Sequence, residues 1–170
     1  MQEMEHIKNS KQSFLKTYWP LIVAFALVVA YVLFGQLMHG WNIKNAMTDF
    51  MGSFFLIFGI AKLFNLNEFA SLFKQYDVIA QRISGYAYAY PFIELALAFC
   101  YLTQRFLLPA NIITLIIMGV GAVGVGIALY KKSDITCACL GSLFNIPLTT
   151  VTLIENTLMV LMAIIMLILS

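Results

Sequence analysis

Residues 108–130 read LPANIITLIIMGVGAVGVGIALY and contain no charged side chain. About 20 consecutive apolar residues are enough for a helix to cross the hydrocarbon core of a bilayer, so this stretch predicts a membrane-spanning helix. Its glycines at 119, 121 and 124 match the G-x-G-x-x-G pattern of dinucleotide-binding turns. That pattern needs a preceding strand and a βαβ unit. Inside an apolar helix, small residues instead predict close packing against a neighbour.

The composition extends this conclusion to the whole chain. Of 170 residues, 62% are hydrophobic and 11% are charged, and the mean hydropathy is +0.90. A soluble domain carries about 25% charged residues, so the partner of most of this surface is expected to be the lipid bilayer. The formal net charge of +2 gives no support for nucleic acid as a partner. Three cysteines are too few for a disulfide framework.

Five segments are long and apolar enough to span a membrane as helices. They are about 18–38, 47–66, 86–104, 108–130 and 147–169. The sequence therefore predicts an all-α integral membrane protein with a polar N-terminal tail, residues 1–17, and a single transmembrane domain, residues 18–170. The first apolar run is longer than the core of a signal peptide and is followed by no small-x-small cleavage site, which favours an uncleaved anchor.

The lysines and arginines predict the orientation, because basic residues are retained on the cytoplasmic side. With a cytoplasmic N-terminus, eight basic residues lie inside and two, Lys44 and Arg105, lie outside. The eight are Lys8, Lys11, Lys16, Lys62, Lys74, Arg82, Lys131 and Lys132. We therefore expect a multi-pass protein of the inner membrane with its C-terminus outside and the loop 131–146 in the cytoplasm.

Residues 67–83 alternate apolar and polar side chains with helical spacing. Phe69, Phe73, Tyr76 and Ala80 fall on one face, and polar side chains including Asp77 fall on the other. This pattern predicts an amphipathic helix lying in the inner membrane interface. Two interpretations remain open: a surface linker, or a lid over the inner mouth of the helix bundle.

Two carboxylates and one lysine fall inside predicted spans, where a charge is costly and therefore a candidate for function. Glu94 and Glu155 each lie a few turns into a span, roughly 12 Å below the inner surface at 1.5 Å rise per residue. Lys62, near the inner end of the second span, could reach down toward one of them, and Glu94 is its partner in the ion-pair interpretation. The alternatives are a structural ion pair or proton transfer by a carboxyl, and Glu155 is equally compatible with a neutral acid hydrogen-bonded to another helix.

The loop before the last span contains Cys137-Ala138-Cys139. A bridge between two such close thiols is strained and easily reduced, which is typical of catalytic disulfides. Two thiolates in this spacing also suit Cu(I), and a structural turn is the third possibility. Met38 and His39, on the outer side, are further soft-metal ligands, so Cys137, Cys139, Met38 and His39 form the candidate metal set.

Four motifs occur in an order that resembles the MauE/DoxX-type membrane proteins, with the C-x-C-[FL]-G motif typical of the MauE branch. They are Phe58-Gly59-Ile60-Ala61-Lys62-Leu63-Phe64, Phe69-x-x-x-Phe73-x-x-Tyr76-Asp77, Tyr90-Pro91-Phe92-Ile93-Glu94 and Cys137-Ala138-Cys139-Leu140-Gly141. The resemblance implies a four-helix transmembrane bundle, similar in plan to quinone-linked disulfide enzymes, and a role in maturing a disulfide-rich periplasmic subunit. It also implies thioredoxin-like or metal-carrying protein partners.

The resemblance carries over Lys62, Glu94, Cys137 and Cys139 as site residues. This chain departs from it by an extra N-terminal span and by lacking the second cysteine pair that a complete relay to a quinone would need. The leading hypothesis is a thiol–disulfide redox accessory protein in which Cys137 and Cys139 exchange electrons with a partner, Glu94 or Glu155 moves protons, and Lys62 orients Glu94. One alternative is a protein that transports or delivers a soft metal, and another is a non-catalytic membrane scaffold. The sequence leaves open whether the protein is an enzyme and whether it uses a quinone or Cu(I).

Overall fold

The computed structural model describes the backbone at residues 2–131 and 150–169, and the side chains at 19–38, 40–131 and 152–169. These residues form six helices and no strand, as the all-α prediction requires. The helices are α1 (Gln2–His39), α2 (Ile43–Phe64), α3 (Leu66–Phe73), α4 (Ser84–Leu102), α5 (Leu107–Tyr130) and α6 (Thr150–Ile168).

Four of these helices pack in a closed ring. α2 contacts α4, α4 contacts α5, α5 contacts α6, and α6 returns to α2. Inside the ring lie fully buried side chains such as Phe55, Phe58 and Tyr101. α1 packs against α2 from outside the ring, and α3 contacts α2 and α4. This packing agrees with a four-helix core preceded by an extra N-terminal helix.

Three helical stretches are long and apolar enough to cross a membrane: Trp19–Met38, Ile43–Phe64 and Leu107–Tyr130. α4 includes Glu94 and three tyrosines in its first half, and the apolar stretch described in α6, Thr152–Ile168, is shorter. The protein is therefore a helical membrane protein, while the count of five crossings stays a prediction.

Helix α1 starts earlier than the sequence predicted. The stretch 1–17, predicted as a polar tail, is helical from Gln2 onward and continuous with the first span. The apolar part Trp19–Met38 agrees with the predicted span 18–38. Among its described side chains only Ala24, Val28 and Gln36 are buried. The described part of α1, Trp19–Met38, is thus largely available to lipid, as expected of a helix at the edge of a bundle.

The predicted helix over 67–83 is wrong in its extent. α3 ends at Phe73, and turns follow to residue 83. Asp77 starts a new turn, because its Oδ1 accepts hydrogen bonds from the backbone N–H groups of Ile79 (3.0 Å) and Ala80 (2.8 Å). Asp77 was expected on the polar face, yet its side chain is fully buried.

We call residues 66–83 the lid. Its side chains Phe69, Phe73, Tyr76 and Ala80 are buried inside the protein. α3 contacts α2 and α4, and the ring of Tyr90 in α4 packs on both Phe69 and Phe73. This packing favours the lid interpretation over a surface linker.

Candidate functional site

The Lys62–Glu94 ion pair predicted from the sequence forms in the structure. Lys62 Nζ, near the end of α2, contacts Glu94 Oε1, in the middle of α4, and the two side chains are only 3% and 1% exposed. A methyl group at Gly59, one turn before Lys62, would lie 3.1 Å from Leu95 and 3.5 Å from Glu94 Cβ. The missing side chain therefore allows α2 and α4 to approach closely enough to pair the two charges.

Aromatic rings also lie close to the ammonium group of Lys62. Lys62 Nζ lies 4.9 Å from the ring centroid of Tyr90 and 5.6 Å from that of Phe69. A cation over an aromatic face is attracted to it, and more strongly when water is excluded. These rings offset part of the cost of removing the ammonium from water.

The lid seals this pair with further aromatic contacts. Phe73 is the centre of the cluster, with ring centroids 4.5 Å from Tyr90, 5.6 Å from Tyr76 and 6.1 Å from Tyr86. Tyr86 and Tyr90 in turn pack edge to face at 5.8 Å. Such pairs add to the apolar area that they bury, so the cluster holds the lid over the ion pair and keeps water away from it.

Helix α5 receives the lid at a glycine. A Cβ at Gly124 would lie 2.4 Å from the Tyr76 carbonyl oxygen and 3.3 Å from Asp77 Cα. The glycine motif in α5 thus permits a close approach, as predicted, although here the partner is the backbone of the lid. Gly121, one turn earlier, faces Asn156 of α6, with 3.2 Å from its built Cβ to Asn156 Nδ2.

Three buried polar atoms beneath the lid have no hydrogen-bond partner among the described residues. They are Asp77 Oδ2, Tyr86 Oη and Glu94 Oε2. The Tyr86 hydroxyl interacts electrostatically with both carboxyls. Burial raises the pKa of Asp77, and its hydrogen bonds from Ala80 and Ile79 oppose that rise. The site therefore contains the carboxyl group of Asp77 and the phenol of Tyr86 in addition to the ion pair.

Sequence reasoning did not identify Asp77 or Tyr86 as site residues. A signal existed for Tyr86, because Tyr86, Tyr90 and Glu94 are spaced four residues apart and therefore share one face of α4. Asp77 ends the second of the four motifs, but the helical pattern assigned its side chain to solvent.

Glu155, the second predicted carboxyl, is also buried. It is 7% exposed and lines a cavity of about 380 Å³ between α1 and α6, whose other walls are apolar. They include Leu21, Phe25 and Leu158. Of the predicted site residues, Lys62 and Glu94 form the ion pair beneath the lid.

Cys137 and Cys139 lie outside the described residues, and so does the side chain of His39. Met38, the remaining member of the candidate metal set, is two-thirds exposed at the end of α1. Across the part of the chain that the structure describes, no group of three or more His, Cys, Asp or Glu side chains is arranged to hold a metal ion. The thiol and metal hypotheses therefore stay predictions.

The helix ends that flank the cysteine segment do lie in the structure. α5 contacts the lid at Gly124 and ends less than two turns later. Near its start, α6 lines a cavity with Phe25, whose ring packs on that of Phe58 toward the end of α2. Further along α6, Met162 lines another cavity with Met47, at the start of α2. α6 therefore runs antiparallel to α2, and both flanking helix ends are on the lid side of the protein.

These features define a class: a helical membrane protein in which four packed helices and a lid enclose a buried Lys–Glu pair. The family model described as methylamine utilisation protein MauE matches residues 41–169, and the chain belongs to the MauE family. The match includes α2 to α6 and begins after α1, which agrees with α1 as an addition to the four-helix core. Comparison with curated proteins and with solved structures found no match. The DoxX part of the predicted resemblance stays a prediction.

Proposed function

We propose that this MauE-family protein is a thiol–disulfide redox accessory protein of methylamine utilisation, in which Cys137 and Cys139 react with a thioredoxin-like partner. A thiolate of the pair attacks the partner's disulfide, the second thiolate resolves the mixed disulfide, and the partner leaves as a dithiol. Two electrons and two protons pass from the cysteine pair to the partner. A dithiol of another protein then reduces the Cys137–Cys139 disulfide by the same kind of exchange, and it supplies the two electrons and two protons.

The observation that carries this proposal is the position of the buried ion pair. The lid, with Lys62 and Glu94 beneath it, is at the same end of the bundle as the end of α5 and the start of α6. The segment containing Cys137 and Cys139 connects these two helix ends. A carboxyl near reacting thiols has a chemical use, because thiol–disulfide exchange requires protons to leave and return to sulfur. Lys62 would hold Glu94 in place for that exchange.

An accessory role fits the cysteine content better than a complete electron relay to a quinone. Such a relay passes electrons between two cysteine pairs, whereas this chain has Cys137, Cys139 and the distant Cys100. Cys100 is partly buried in α4 and packs against the core. We infer that the second thiol pair, which returns electrons to Cys137 and Cys139, belongs to another protein.

The proposed membrane topology has five spans in the inner membrane, with the N-terminus in the cytoplasm and the C-terminus outside. It rests on the distribution of basic residues in the sequence. With this orientation the cysteine segment and the lid face the cytoplasm. A membrane-impermeant thiol reagent applied to intact cells should then leave Cys137 and Cys139 unmodified until the membrane is opened. Rapid labelling in intact cells would reverse the proposed orientation.

The redox role is tested by a Cys137→Ser/Cys139→Ser double variant. Rapid alkylation of cell extracts, followed by mobility-shift analysis, would report the thiol state of candidate partners. We expect their oxidised fraction to change in the double variant and to remain at the wild-type value in a Cys100→Ala control. Partner thiol states that are the same in all three strains would rule out the redox proposal.

A further inference from the structure

The unpaired oxygens of Asp77, Tyr86 and Glu94 form one cluster under the lid. Each of the three atoms is buried and beyond hydrogen-bond reach of every described group. The Tyr86 hydroxyl interacts electrostatically with the carboxyl groups of both Asp77 and Glu94. Nearly all buried polar atoms in folded proteins have a partner, and an unpaired one needs an explanation such as a bound water or a catalytic role. Three in one cluster need a common explanation.

The charges around the cluster do not balance when both carboxyls are ionised. The titratable groups that face it are Lys62 from α2, Tyr76 and Asp77 from the lid, and Tyr86, Tyr90 and Glu94 from α4, while α5 presents Gly124. Glu155 of α6 is also buried and lines the cavity beside α1. Among the described groups that these contacts join, one ammonium therefore accompanies two carboxyls, and an excess negative charge away from water is costly. Binding of one proton removes that excess.

We propose that Asp77, Tyr86 and Glu94 bind one exchangeable proton and relay it, through bridging water, between the lid and the Lys62–Glu94 pair. Tyr86 is suited to the middle position because a phenol both donates and accepts a hydrogen bond. Its ring is held by Phe73 and Tyr90, and its hydroxyl interacts electrostatically with both carboxyls. Water must complete the chain because the three oxygens do not contact each other directly.

The transfer is a proton movement without oxidation or reduction. The Asp77 acid gives its proton to a bridging water, which passes one on to Tyr86 Oη. The Tyr86 O–H bond breaks at the same time, and its proton reaches Glu94 Oε2 through a second water. The net change is ionisation of Asp77 and protonation of Glu94, while Lys62 keeps its charge. The use of this proton in thiol exchange rests on the proposed function, whereas the binding site itself involves no thiol.

Infrared spectroscopy of the purified protein in lipid nanodiscs tests the proposal directly. At neutral pH the wild type should show the carbonyl stretch of a buried carboxylic acid that remains in Glu155→Gln, and that band should be lost in Asp77→Asn or in Glu94→Gln. The amide introduced by Asp77→Asn keeps an oxygen for the N–H groups of Ile79 and Ala80, so the turn survives. A thermal unfolding curve checks that each variant is folded. A missing wild-type band, or one that survives in both variants, would refute the proposal.

The role of Tyr86 is tested by the rate at which this band shifts after transfer into D₂O. Tyr86→Phe keeps the ring but removes the relay hydroxyl, and we expect exchange to slow by about a hundredfold. Tyr88→Phe is the matched control, because Tyr88 is on the same helix, is exposed and contacts Lys74. Equal exchange rates in the wild type and Tyr86→Phe would overturn the relay.

Failure of the proposed function would look different. A Cys137→Ser/Cys139→Ser variant should keep both the carboxylic acid band and its exchange rate, because the relay contains no sulfur. If the relay is present but the cysteine variant leaves partner thiols unchanged, the redox proposal alone is wrong. If the cysteine variant behaves as proposed but the band is absent, the relay alone is wrong.

Discussion

Replacing Gly124 with alanine should weaken the docking of the lid on α5. The new methyl carbon would lie 2.4 Å from the Tyr76 carbonyl oxygen and 3.2 Å from the Tyr76 carbonyl carbon. Both atoms belong to backbone, so no side-chain rotation can relieve the overlap. Moving the lid until the closest contact reaches about 3.0 Å requires a shift of about 0.6 Å, which the aromatic packing around Phe73 resists.

The expected cost follows from two opposing effects. Forcing an extra methyl group into a well-packed region costs about 1–3 kcal/mol. Alanine is also a better helix former than glycine by about 0.5–1 kcal/mol, which partly hides that cost. Gly126→Ala is the matched control, because it is on the same helix and its new methyl group would meet nothing within 4 Å. The gain in helix propensity is the same in both variants and cancels when they are compared. The free energy of unfolding of Gly124→Ala should therefore be lower than that of Gly126→Ala by about 1–3 kcal/mol.

The measurement is equilibrium unfolding of both variants and the wild type in mixed micelles, followed by circular dichroism. Gly126→Ala should be as stable as the wild type or more stable, and Gly124→Ala should be less stable than Gly126→Ala by the stated amount. If the two alanine variants unfold at the same denaturant concentration, the lid does not dock at Gly124 as described, and the argument for a sealed ion pair fails with it.

Three further predictions concern buried polar groups and use the same unfolding assay. Lys62→Met or Glu94→Gln alone should lower the free energy of unfolding by about 3–5 kcal/mol, because each leaves a buried polar group without its partner. The double variant should recover most of that loss. A double variant no more stable than either single variant would contradict this prediction. Burial raises the pKa of Asp77 above its ordinary 3.8, so the folded state holds its proton longer. The stability of the wild type relative to Asp77→Asn should therefore fall as pH rises from about 4 through the raised pKa, by up to about 1.4 kcal/mol per pH unit. A stability difference that does not change with pH would contradict this prediction. Tyr101→Phe should cost about 1–3 kcal/mol, since the Tyr101 hydroxyl donates to Asn111 Oδ1 at 2.8 Å and that oxygen would be left unpaired; no loss of stability would show that this network contributes nothing.

The helices could be predicted because the signal for a membrane helix is local. Residues 108–130 were expected to form a span, and α5 runs from Leu107 to Tyr130. The lid was predicted less well, because its periodic apolar pattern continues to residue 83 while the helix ends at Phe73. The pattern has no information on the side-chain hydrogen bonds by which Asp77 starts a new turn.

The candidate site shows the same division. Lys62 and Glu94 were identified because a charge inside an apolar segment needs a partner, and few partners exist in this chain. Tyr86 and Asp77 were missed because tyrosine and aspartate at a predicted interface need no special explanation. They became part of the site only when the lid was folded onto α4 and α5.

The sequence by itself determined the membrane class and the main apolar helices, and it offered the Lys62–Glu94 pair as one of its interpretations. Those conclusions depend on the length of apolar segments and on the cost of an isolated charge, and both can be judged along the chain. The tertiary structure decided that α1 lies outside a ring of four helices and that Lys62 pairs with Glu94. It also decided that Gly124 receives the lid and that Tyr86 interacts with both Asp77 and Glu94. Such contacts join segments distant in sequence, and they depend on how closely backbones approach, which no local pattern records.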